Sequence, residues 1–138
     1  GETERSMKFV KGALAELDET TEPERVAALL VRKAQLTLDR GRRGAMPDLR
    51  YAERLVPAPG AVRAQVLGRL GMFLMFSNAT AEGTAVTEEA LHIVRDLGDS
   101  CMEAELLINL ALGQSLDGDM IGAHVSVRPK ASTNASMP

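Results

Sequence analysis

From Met7 to Leu116, apolar residues recur at intervals of three and four, and no long alternation of apolar and polar residues appears before residue 124. That period lines up one stripe of a helix and does not line one face of a strand. The chain is therefore expected to be all-α. The turn signals between stripes are only a few residues long, which joins neighbouring helices antiparallel. A length of 138 residues allows one domain with a buried core.

The elements follow from caps and breakers. A first helix is expected over Glu2–Glu19, with Met7, Val10, Leu14 and Leu17 as its stripe. Thr21-Glu22-Pro23-Glu24 has the form of a capping box, with Thr21 as N-cap and Glu24 reaching back. Pro23 is tolerated there because a first-turn N–H has no partner to lose. This second helix should run to Arg40 and stop at Gly41. Pro47 opens a shorter helix that Pro57 and Pro59 end after Leu55. Helices over Ala61–Phe76 and Ala81–Leu97 follow, the second stopped by Gly98-Asp99. Ser100-Cys101-Met102-Glu103 reads as another capping box. Its helix is expected to end at Leu116, closed by Asp117-Gly118-Asp119. Beyond Gly122 the pattern breaks, with His124–Lys130 read as a brief extended segment and Ala131–Pro138 as tail. The division is a helical domain over 1–121 and an irregular tail over 122–138.

Small residues recur within this order. Ala34, Gly71 and Ala111 are 37 and 40 residues apart, and Ala52 and Ala90 are 38 apart. Glycine inside a helix costs ~1 kcal/mol against alanine, so Gly71 signals a close helix–helix contact. A helix–turn–helix unit recurring at this period is the mark of a solenoid.

Several strings resemble a known family. Leu67, Leu70, Gly71 and Leu74, followed by Glu89-Ala90-Leu91 and Leu97-Gly98-Asp99, resemble a tetratricopeptide repeat. Ala45, Leu49, Ala52 and Pro57 fit its second helix, and Ile108-Asn109-Leu110-Ala111 with Gly118-Asp119 fits the opening of a third unit. The variant is the longer one of MalT-like proteins. The style of the chain is similar to the helical region of actinobacterial large ATP-binding regulators of the LuxR family. The resemblance covers about residues 22–120. It implies a short right-handed superhelical array of antiparallel helix pairs, about three units behind one leading helix. In that family an ATPase domain precedes the repeats and a DNA-binding domain follows them. This sequence has no Gly-x4-Gly-Lys-Ser/Thr loop, so ATP hydrolysis and DNA reading are not carried over.

The same resemblance implies a concave face lined by the first helix of each pair. It assigns Val31, Gln35 and Leu38 to that face, then Gln65, Met72 and Met75, then Glu105, Ile108, Leu112 and Ser115. Methionine is flexible and polarizable and suits an adaptable apolar contact. The expected function is a non-catalytic interaction or regulatory module, burying a protein or peptide segment, or a second copy of itself as a homodimer, against that face. The opposing reading makes these residues core, covered by the first helix or the tail. A second function is a small-molecule sensor, with an apolar pocket lined by Met72, Met75 and Leu112 and polar groups from Gln35 and Gln65.

Catalytic, metal and cofactor chemistry find little footing. His92 and His124 are the only histidines, and no His/Cys pair has zinc spacing. Cys101 stands at a helix N-terminus, where a thiol can become reactive, but a small contact residue is the simpler reading. Arg40, Arg42 and Arg43 gather at a helix C-terminus, either as an acidic-partner contact or as charge beside the helix dipole, worth ~0.3–1 kcal/mol. The net charge is −3, divided as +3 over residues 1–69 and −6 over 70–138. Aromatics are 3% with no Trp, and the pI is near 5.4, which disfavours nucleic-acid binding by this segment. No apolar run is long enough for a membrane span and no leader is visible, and a single cysteine fits a reducing, cytoplasmic setting. In that setting the glycosylation-type strings Asn78-Ala79-Thr80 and Asn134-Ala135-Ser136 are expected to be chance.

Overall fold

The computed structural model describes residues 1–41 and 43–125, with side chains through residue 115. These form α1 (Glu2–Glu16), α2 (Pro23–Asp39), α3 (Ala45–Leu55), α4 (Ala61–Phe76), α5 (Thr80–Leu97) and α6 (Ser100–Val125). Among the described residues there is no strand, as the periodicity requires. Each helix packs on the next, and α4 also packs on α2 and on α6.

The interior divides into two main clusters that share α4 as a wall. Val66, Leu70 and Leu74, one turn apart, face a core made with α2 and α3, including Leu30, Val31, Leu49 and Ala52. Ala64 and Leu67 face a second core with Ala90, Leu91 and Val94 of α5 and Leu106 of α6. An α4 apolar on nearly every side is the expected pattern for a helix buried among neighbours. A smaller cluster of Met7, Val10 and Leu36 seats α1 on α2. Two of the four residues in the α1 stripe, Met7 and Val10, are buried, while Leu14 and Leu17 pack partly buried against the first core.

Gly71 is the point of closest approach between α4 and α5. A Cβ there would fall on Thr87 Oγ1 and lie 3.0 Å from the Gly83 carbonyl oxygen. A Cβ on Gly83 would lie 2.8 Å from the Gly71 carbonyl oxygen and 2.6 Å from Met75 Cγ. The backbones thus approach where both side chains are missing. Thr87 is fully buried at this crossing, and its hydroxyl donates to the Gly83 carbonyl at 2.7 Å. Gly68, one turn before Gly71, receives Leu106 of α6. Ala34, Ala52 and Ala90 are buried as their spacing implies, whereas Ala111 is exposed and Gly113 takes the contact on α6, beneath Met75.

Several helix ends differ from the sequence expectation. The α1 helix stops at Glu16, because Asp18 organises the turn: its carboxylate accepts the Thr20 N–H and the Thr21 hydroxyl, both at 2.9 Å. Thr21 is therefore a donor to Asp18, Glu22 is the N-cap of α2, and the Thr21–Glu24 capping box does not form. A carboxylate one turn ahead, able to take two donors, outcompetes a hydroxyl cap. At α6, Asp99 accepts the Met102 N–H at 3.0 Å, and Glu103 turns away to bind Arg95 at 2.7 Å, so the Ser100–Glu103 box is replaced by an aspartate cap. The α6 helix does not end at Leu116. It continues through Asp117-Gly118-Asp119, across the expected boundary at residues 121 and 122, and includes His124. Two glycines lower helix stability by ~1 kcal/mol each without blocking it, and no proline intervenes. The expected tail beyond Val125, like Arg42, lies outside the described residues. Gly98 does terminate α5, at φ 73° with Asp99 N–H bonded back to the Val94 carbonyl at 3.0 Å. Asn78 ends α4 in the same left-handed conformation, at φ 67°.

Arg63 is the main polar staple. Its side chain is only 13% exposed. It donates to the Val56 and Glu53 carbonyls at 3.0 and 3.3 Å and to Glu89 at 2.9 Å, so it caps the end of α3 and ties it to α5. Arg50–Glu82 at 2.7 Å makes a second bridge between α3 and α5.

Two measurements check this account. Gly71→Ala is expected to destabilise the chain by ~1–3 kcal/mol in urea melts, because overpacking outweighs the better helix propensity. Gly12→Ala, where no atom lies within 4 Å of the added methyl, should instead stabilise by ~0.5–1 kcal/mol. The Thr20 N–H and the Thr21 hydroxyl hold the Asp18 carboxyl below its ordinary value of 3.8. Because the folded value is the depressed one, the turn is intact above the unfolded value and loosens as pH falls through the folded value. An NMR titration should place the Asp18 midpoint below 3.8. Asp18→Asn should abolish the acid-dependent shift of the Thr20 amide.

Candidate functional site

The helices α2, α4 and α6 lie side by side, and the predicted concave-face residues fall on all three. Near the C-terminal ends of α2 and α4, Val31, Gln35, Leu38 and Met72 meet at one hollow of about 260 Å³. Ala34 and Leu49 form its floor, and Phe73, Phe76 and Ser77 complete the α4 side. Its lining is apolar apart from Gln35, Arg69 and Ser77.

Arg69 stands at one wall of this hollow and also lines a second one, between α4 and α6. That second hollow is about 180 Å³ and holds Gln65, Glu105 and Asn109 beside Met102 and Leu106. Arg69 is half-buried, and among the described residues no carboxylate lies within ion-pair distance of it. Gln35 is already engaged, its amide donating to Asp39 at 2.9 Å.

The third unit's residues extend the face outward. Ile108 and Leu112 lie three and seven residues beyond Glu105, on the side of α6 that borders the second hollow. Both are exposed, Ile108 at 60%, as are Phe76 at 61% and Leu38 at 41%. Ser115 is exposed one turn further along α6. Gln65 is exposed at the opposite end of α4 from Met72. The face therefore carries an apolar rim at Leu38, Phe76, Ile108 and Leu112, and one arginine near its middle.

Met75 does not belong to it. It is 5% exposed and packs against Gly83 of α5 and Gly113 of α6. Met75 is turned about 60° round the helix from Met72, toward α5 and α6, where Gly83 and Gly113 leave room for it. The hollow that holds Met72 is lined by neither Met75 nor Leu112, and α1 packs on α2. Arg69 and Phe76 were not singled out from the sequence, although they stand at i−3 and i+4 of Met72.

The other candidates are ordinary surface. His92 is exposed and 3.7 Å from Asp96 on its own helix. Cys101 is exposed rather than buried in an inter-repeat contact, since it sits on the first turn of α6 away from α4 and α5. Arg40 is half-buried and Arg43 exposed. Among the described residues no group of three His, Cys, Asp or Glu could hold a metal ion, and no helix is long and apolar enough to cross a membrane. No family model matches the chain, and no curated protein or solved structure matches it.

Replacing the two methionines should separate their roles. Met75→Ala is expected to cost ~2–5 kcal/mol in a denaturant melt, as a core cavity does. Met72→Ala should cost ~1 kcal/mol, the usual value for a partly exposed site.

Proposed function

We propose that this chain is a non-catalytic interaction module whose α2–α4–α6 face buries an apolar segment of a protein partner or of a second copy. The observation that carries the reading is the exposed apolar rim formed by Leu38, Phe76, Ile108 and Leu112. Large apolar side chains grouped on one face of a folded domain usually mark a contact surface. The hollow beside Met72 and Phe76 supplies a recess for an anchoring side chain, the arrangement in which a few deep contacts dominate binding.

The repeat reading belongs to this proposal. Alternate helices packing on one another, α2 on α4 and α4 on α6, is what a superhelical array of helix pairs requires. The exposure of Ala111 fits as well. It holds the position of Ala34 and Gly71 in the series, and α6 has no following helix among the described residues to cover it. The tetratricopeptide-like strings extend the proposal to a segment of, or a relative of, a bacterial LuxR-family transcriptional regulator, acting in the cytoplasm. The small-molecule reading keeps one supporting observation, the α2–α3–α4 hollow.

Light scattering over a concentration series tests the interaction reading, with Phe76→Glu/Leu112→Glu alongside. The expected result is a mass that rises to two chains and returns to one in the double variant, with its helical circular dichroism unchanged. A selection of displayed peptides covers the partner alternative, since binders should be lost with the same substitutions. A single-chain mass throughout, together with no peptide sensitive to those changes, overturns the proposal.

A further inference from the structure

We infer that the hollow between α2, α3 and α4 is a binding site for a small monocarboxylate with an apolar tail, its carboxylate held by Arg69. Three observations combine. First, the walls are hydrocarbon and thioether, from Val31, Ala34, Leu38, Met72 and Phe76. Second, the space is limited. A volume of about 260 Å³ holds roughly nine groups at ~30 Å³ each, and lies below the ~300–1,000 Å³ of drug-sized ligand sites. The seven-carbon tail of octanoate fits that volume, whereas a long-chain lipid would leave much of its tail outside.

Third, one charge at the wall has no carboxylate within ion-pair distance among the described residues. Arg69 is half-buried against both hollows, and Glu105, which lines the second, does not come within ion-pair distance. Arg50, Arg63 and Arg95 each meet a carboxylate across helices, whereas Arg69, like the half-buried Arg40, meets none among the described residues. A partly desolvated guanidinium without an acceptor is unfavourable, and a carboxylate matches its donor fork with two parallel hydrogen bonds. The tail therefore lies among the apolar side chains of α2 and α4, and the charged end meets Arg69. The inference rests on the small-molecule reading of this hollow, which shares Leu38 and Phe76 with the proposed partner face; Arg69→Met leaves both side chains in place, so the two readings can fail separately.

Calorimetry of the full chain with octanoate, and with octanol as the uncharged counterpart, tests the inference. Octanoate is expected to bind one per chain, to raise the melting temperature, and to shift the Met72 methyl resonance while leaving that of Met7 in place. Octanol should bind more weakly by about tenfold to a hundredfold, the range for a charge-assisted hydrogen bond. Arg69→Met should lose the same factor for octanoate and nothing for octanol. If that variant loses its helical circular dichroism, the octanoate-to-octanol ratio on the native chain decides. Equal affinities for the two probes, no saturable octanoate binding, unchanged affinity in a folded Arg69→Met chain, or a shift centred on Met7 overturns the inference.

Discussion

The rest of the structure depends on the backbone-to-backbone approach of α4 and α5 at Gly71 and Gly83. Each glycine leaves room for the carbonyl of the other, and Thr87 fills the remaining gap. A buried hydroxyl costs free energy unless bonded, and Thr87 bonds the Gly83 carbonyl within its own helix. The crossing sets where Met75 can go. It is pressed over Gly83 and onto Gly113, so α6 is docked against the same contact. Leu106, seated on Gly68, is the second point of that docking. Four glycines, at 68, 71, 83 and 113, therefore control how three helices meet.

Two cores form because α4 is apolar on both sides. A helix of this kind cannot lie at a surface without exposing a large apolar area, so α2 and α3 cover one side and α5 and α6 the other. Ion pairs refine this arrangement rather than create it. Exposed pairs contribute ~0–1 kcal/mol, which is small beside the buried side chains at ~1.5–3 kcal/mol each. Arg63 is the exception in kind, since it is shielded and satisfies carbonyls that the end of α3 leaves open. It holds the α3 end against α4 and α5.

The candidate face is a consequence of that geometry. α2, α4 and α6 stand side by side, and no further helix follows α6 among the described residues. Its chemistry is simple: apolar rim, apolar recess, one half-buried arginine. Such a surface offers an apolar shape and one positive charge within a few turns of helix.

The six helices were legible in the sequence because three-and-four spacing, Gly98 and the prolines act locally. So was the tight contact at Gly71, because a glycine costs helix stability wherever it stands. Four of the predicted face residues, Val31, Gln35, Leu38 and Met72, do meet at one hollow. What the sequence did not determine was which acceptor wins at a helix end, or which side of α4 faces out. Asp18 and Asp99 displaced the expected caps, and α6 passed its expected stop, because local signals compete with close energies. Met75 went inside while Met72 stayed at the rim, and Arg69 came to the wall of the hollow. Those outcomes follow from the angle at which α5 and α6 cross α4, and that angle is set by Gly83 and Gly113, distant in sequence and adjacent only in the folded chain.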